Sequence, residues 1–121
     1  MIKVHHYPTN QLPCVYLAID RNYVQYNRLQ PTHLVKVGLS RSMQKRRCTL
    51  RYQYNVETVW EIPSNGKNLE IIEAHLIYWL QHYPTAIQNT TETAYIDIEM
   101  LEALINNFPT IVEGLNKKFP N

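Results

Sequence analysis

Two charges fall where the apolar pattern wants none. Past Ser40, the residues Met43, Arg46, Arg47 and Leu50 recur at helical spacing, so at least one arginine lies beside the face that packs. A guanidinium keeps its proton, so it must meet an anion there, either a carboxylate of the chain or a phosphate of a ligand. Glu73 is the second charge, four residues after Leu69 and three before Leu76, on the stripe of another helix. Burying an ionised carboxylate without a partner costs several kcal/mol, so Glu73 must be paired, protonated or bound to a metal. A salt bridge from Glu73 to Arg46 or Arg47 would satisfy both charges at once. His75 points to another side of that helix, so Glu73 and His75 do not form a metal clamp.

The elements that must position these groups follow from the pattern around them. Cys14 to Ile19 alternates, with Val15, Leu17 and Ile19 on one face of a strand and Cys14, Tyr16 and Ala18 on the other. A second strand, Leu34 to Gly38, turns through Leu39 and Ser40, with Ser40 as N-cap of the cationic helix. The polar connection between these strands carries Tyr23, Tyr26 and Arg28, types that suit contact with a nucleic acid. Asn55 ends the cationic helix, and Val56 to Ile62 reads as a third strand with Val56, Thr58, Trp60 and Ile62 on one side. Pro63 to Lys67 is a turn by composition. Leu69, Ile72, Leu76 and Leu80 then mark a helix that Pro84 stops.

Thr85 to Thr93 reads as a loop, and Ala94 to Ile96 as a brief extension. Asp97 suits the N-cap of a last amphipathic helix through Ile98, Leu101, Leu104, Ile105 and Phe108. Pro109 would open a further short helical turn, which Gly114 weakens. The expected fold is α+β: a small, mainly antiparallel three-stranded sheet flanked by helices, in the order β-β-α-β-α-α, with residues 1–121 as a single domain.

A chain of 121 residues is large enough to bury a core without disulfide staples. No apolar run approaches the ~20 residues that span a bilayer, and the first residues do not read as a signal peptide. Cys14 and Cys48 make no disulfide framework, which points to a cytoplasmic location. His5 and His6, in a loosely packed lead-in, have no further ligand at metal spacing. The net charge of +2 is small, so the clustering of cations between Lys36 and Arg51 is more informative than their sum.

Together these features resemble the GIY-YIG nuclease family. The family's first motif ends in a strand tyrosine, matched here by Cys14-Val15-Tyr16, and its second in a strand glycine, matched by Lys36-Val37-Gly38. The family's arginine follows that glycine by eight residues, which is Arg46, and its metal-binding glutamate lies on a later helix, where Glu73 stands in Ile71 to Ile77. Thr91 to Ile96 is similar to a glutamate-aromatic segment of the family's small phage and bacterial branch, and the resemblance covers about Cys14 to Phe108. Cys14 replaces the first motif's glycine and Lys36 the second motif's tyrosine; a lysine-isoleucine-glycine version occurs in one branch. The family's late asparagine has no clear equivalent here, Asn89 and Gln88 being the candidates.

The resemblance implies a metal-dependent endonuclease that hydrolyses DNA phosphodiester bonds, with one Mg²⁺ or Mn²⁺ held by Glu73. Tyr16, Lys36, Arg46 and Glu73 would be the catalytic residues, and Arg41, Lys45, Arg47 and Arg51 would hold the nucleic-acid backbone. Lys36 would act as a general base if neutral and as a phosphate clamp if charged; as an edge lysine it would simply discourage aggregation. DNA is the expected partner, with RNA open, and a homodimer or a partner protein would supply specificity. The alternative is a nucleic-acid-binding module of the same fold with weak or no turnover.

Overall fold

The computed structural model describes residues 13–20, 32–64, 68–83 and 86–119. The lead-in with His5 and His6, the connection bearing Tyr23, Tyr26 and Arg28, residues 65–67 of the turn, and Pro84 lie outside the described residues. The alternation of the first strand is realised as β1 (Cys14–Asp20), and the second strand as β2 (Thr32–Ser40). β2 runs beyond Gly38 because β1 continues to pair with it, Tyr16 opposite Gly38, Val15 opposite Leu39 and Cys14 opposite Ser40. Ser40 is therefore the last strand residue and not a helix cap. Its hydroxyl donates to the Ser42 carbonyl (2.8 Å) and accepts from the Ser42 N–H (3.0 Å), which tightens the strand-to-helix turn.

The cationic helix α1 (Met43–Thr49) passes directly into a π-helical turn (Leu50–Tyr54), closed by Asn55 in the left-handed region at φ 57°. β3 (Val56–Pro63) follows, then α2 (Leu69–Gln81), β4 (Ile87–Thr90), β5 (Thr93–Asp97) and α3 (Ile98–Lys118). Asp97 caps α3 as its side chain accepts from the Met100 N–H at 2.8 Å. α3 continues through Pro109 as one helix and does not restart there, since Phe108 and Val112 are both buried and hold the segments on either side.

The expected three-stranded sheet and the order β-β-α-β-α-α are overturned. The sheet has five antiparallel strands in the spatial order β3-β1-β2-β5-β4, and the chain order is β-β-α-β-α-β-β-α. The difference is the β4–β5 hairpin. Its outer strand, Ile-Gln-Asn-Thr, is exposed at every position and so carries no apolar alternation. The Gln81 amide holds the hairpin turn by donating to the carbonyls of Thr90, Thr91 and Thr93.

Both faces of the sheet are covered. Val15, Leu17, Ile19, Val35 and Val37 pack against Leu69, Ile72, Leu76 and Leu80 of α2 and Leu101, Leu104 and Phe108 of α3. On the other face, Cys14, Tyr16 and Ala18 pack against Met43 and Leu50. Burial pushes the Cys14 thiol up to about 12, so it is a neutral core group. A bulge where β1 pairs with β3 between Leu17 and Ala18 inserts Val59 as an extra residue. The bulge divides the expected face of β3. Thr58 lies opposite Ala18, whereas Trp60 and Ile62 lie opposite Leu17 and Val15 and join the α2–α3 core. The same shift turns Glu61 to the Tyr16 face.

Candidate active site

Tyr16 is fully buried, and its ring lies over Gly38 on the neighbouring strand. A Cβ at residue 38 would overlap the phenol, coming within 2.6 Å of its Cζ and closer still to its hydroxyl. Gly38 is thus required by the ring's approach, since its backbone needs no left-handed angle. Burial pushes the phenol well above the usual tyrosine range; Arg46 pulls it down, while Glu92, Glu73 and Tyr54 push it further up. All four groups therefore lie within electrostatic reach of one hydroxyl. That hydroxyl is protonated at neutral pH.

Lys36 lies two residues before Gly38 on the same face of β2 and is 5% exposed. Its Nζ donates to the Glu92 carboxylate at 2.5 Å and stands 5.3 Å from the centroid of the Tyr54 ring. The contact with Glu92 follows from the hairpin the sequence pattern did not reveal. Thr93 pairs with Lys36 across the sheet, and the Glu92 carbonyl accepts from the Val37 N–H at 3.2 Å. The ion pair joins the tip of the β4–β5 hairpin to β2 beside Gly38.

Glu73 is half-buried on α2. Burial raises its pKa above the usual carboxylate range and Glu92 raises it further, while the Leu39 backbone N–H and the Lys36 charge lower it. β5 pairs with β2 only as far as Lys36, so the Leu39 N–H lies on the stretch of β2 edge that β5 leaves open. The expected salt bridge from Glu73 to Arg46 or Arg47 does not form. Among the described residues, neither Arg46 nor Glu73 has an ion-pair partner.

Adjacent arginines of α1 have different surroundings. Arg46 is half-buried and faces Tyr16 electrostatically. Arg47 donates Nε (2.8 Å) and an Nη (2.5 Å) to the two oxygens of Glu61, a carboxylate with no exposure that also accepts from the Thr58 hydroxyl at 2.7 Å. That fork is occupied within the fold, and it fixes α1 to β3. Arg41 and Arg51 make exposed or half-exposed pairs with Glu70 (2.7 Å) and Glu57 (3.6 Å). Surface pairs of this kind are worth ~0–1 kcal/mol and exchange readily for another anion. Lys45 is exposed on α1.

Sequence reasoning passed over three contributors. Glu92 sits in a polar turn without periodicity, Tyr54 is brought beside Lys36 by a π turn, and Glu61 reaches Arg47 only because of the β-bulge. Of these, Glu92 alone left a trace, as the acidic residue of the Thr91–Ile96 segment.

The donor set defines the kind of ion the site can hold. No group of three His, Cys, Asp or Glu side chains gathers among the described residues. One carboxylate with a second acid near it suits a hard cation that keeps most of its waters and shares substrate oxygens. The site is therefore a corner of the sheet where Lys36, Arg46, Glu73 and Glu92 surround a buried phenol. No family model, curated protein or solved structure matches the chain.

Proposed function

We propose that the chain is a metal-dependent endonuclease that hydrolyses DNA phosphodiester bonds by GIY-YIG-type chemistry. The observation that carries this reading is that Arg46 and Glu73, on α1 and α2, both lie within electrostatic reach of the Tyr16 hydroxyl, whose ring packs over Gly38 of the neighbouring strand. Arg46 presents planar donors to the nonbridging phosphate oxygens, where charge grows during hydrolysis. The Lys36 ammonium adds a second positive charge, braced by Glu92. Tyr16, neutral and fixed over Gly38, would orient the attacking water through its hydroxyl, and the proton that water loses would pass to bulk solvent. Glu73 would hold Mg²⁺ or Mn²⁺, which when bound supplies Lewis-acid stabilisation and a more acidic water. Lys45, Arg41 and Arg51 would track the backbone, while Arg47 supports them by fixing α1. No helix among the described residues is long and apolar enough to cross a membrane, and a cytoplasmic location fits the two free cysteines. A homodimer or a partner protein would supply specificity.

The test is cleavage of a panel of duplex, single-stranded and branched DNA and of RNA, with and without Mg²⁺ or Mn²⁺. Metal-dependent cleavage of DNA is expected. Salt-sensitive DNA binding without cleavage would instead assign a binding module, a reading favoured by the depth of Tyr16 and by the Lys36–Glu92 ion pair.

A further inference from the structure

A cavity of about 290 Å³ opens beside Lys36, lined by Leu34, Tyr54 and Val56 and by the β4–β5 turn from Asn89 to Thr93. We propose that it is a base subsite, which receives one unpaired nucleoside of the strand being cut. This rests on the nuclease reading for its place next to the reacting phosphate, and on the cavity's own chemistry for its occupant.

Leu34 and Val56 provide an apolar floor, and both lie at the small core beneath Tyr16. Tyr54 forms an aromatic wall that is 47% exposed, left available to a ligand by the π turn that carries it. A flat ring excluded from water on its faces gains most from such a wall, and stacking tolerates any base. The opposite rim is polar and mostly uncharged, as a base edge requires. Its inner part is already ordered: Thr93 Oγ1 accepts from Asn89 Nδ2 (3.1 Å) and from the Thr90 N–H (3.0 Å). Those bonds fix the Asn89 amide while its carbonyl oxygen and the exposed Thr91 hydroxyl remain to meet a base edge.

Charge decides the orientation. The cavity's charged groups are Lys36 and the Glu92 carboxylate paired with it at 2.5 Å, so a nucleoside seated here places its phosphate at Lys36 in exchange for Glu92, on the side of Tyr16 and Arg46. The volume lies at the lower end of small-molecule pockets, ~300–1,000 Å³, room for one nucleoside and not for a base pair. An enzyme with such a pocket acts on single-stranded, frayed or extruded nucleotides. The preferred substrate is therefore DNA with an unpaired nucleotide at the cut, such as a flap, gap or mismatch.

Two measurements on the full chain test this. In the first, amide NMR spectra follow titration with dAMP, dCMP, dGMP or dTMP, and separately with inorganic phosphate. Nucleotide-specific shifts are expected at Val56 and at Asn89 to Glu92, lost in Tyr54→Ala and kept in Tyr54→Phe. Shifts that phosphate alone reproduces, or that lie elsewhere, overturn the subsite. In the second, cleavage of duplex is compared with cleavage of the same duplex bearing an unpaired nucleotide. Tyr54→Ala should raise KM for the unpaired substrate by roughly 5- to 150-fold, and Tyr54→Phe should not. Cleavage whose preference is unaltered by Tyr54→Ala rejects the subsite and leaves the nuclease reading standing. Nucleotide-specific shifts in a chain that cuts nothing retain the subsite and reject the nuclease.

Discussion

Replacing Arg47 by alanine should unfold the protein far more readily than replacing Arg46, although the two are neighbours on one short helix. Glu61 has no exposure, and its oxygens accept two hydrogen bonds from Arg47 and one from Thr58. Arg47→Ala removes these two charge-assisted bonds from a carboxylate that is fully buried. Breaking one side of a buried ion pair costs ~3–5 kcal/mol, a large part of a typical domain's stability. At roughly 4 °C per kcal/mol for a domain of this size, Tm should fall by roughly 12–20 °C. Arg46 has no ion-pair partner among the described residues, so Arg46→Ala should change stability by no more than ~0.5 kcal/mol. Urea denaturation of both variants measures the difference. The double variant Arg47→Met, Glu61→Leu should recover most of the loss, because it removes both charges together. Equal stability of Arg46→Ala and Arg47→Ala, or no coupling between residues 47 and 61, would refute the division of labour.

Glu73→Gln should raise stability at neutral pH, as removing a desolvated charge beside Glu92 relieves the fold. The folded-state pKa of Glu73 lies above its unfolded value, so its protonated form stabilises the fold in acid and that contribution is lost as pH rises through the folded value. The advantage of Glu73→Gln should therefore shrink as pH falls, a trend that thermal melts across pH 4–8 would reveal. Gly38→Ala drives a methyl group into the Tyr16 ring, and ~1–3 kcal/mol of lost stability is expected from denaturant midpoints, with impaired cleavage. DNA affinity should fall with a log–log salt slope of roughly −3 to −4, and Lys45→Ala should flatten it by about 0.9, as fluorescence anisotropy can measure.

The legible parts of this fold were those written in apolar period. The two faces of β1, the stripe of α2 and the Asp97 cap of α3 follow from residue spacing, because each element packs a repeated side on a core. The exposed β4 strand has no such side and read as a loop. The bulge at Val59 was equally silent, as it breaks alternation in a strand whose two halves are each regular. The site was legible as misplaced charge. Arg46 and Glu73 both stand out as ions on packing faces, and their spacing suggests a salt bridge from Glu73 to Arg46 or Arg47. The structure gives the buried carboxylate of Glu61 to Arg47 and leaves Arg46 within electrostatic reach of Tyr16. Glu92 could be placed only once the hairpin was known, since its register beside Lys36 depends on the pairing of β5 with β2.

The central claim is that Arg46 and Glu73 act on a phosphodiester. Single-turnover cleavage of DNA in Mg²⁺ or Mn²⁺ tests it most directly, using wild type, Arg46→Ala and Glu73→Gln, all confirmed as folded. The account predicts that each substitution lowers the cleavage rate by at least ~10²-fold while thermal stability is kept or improved. Undiminished cleavage in both variants would contradict it.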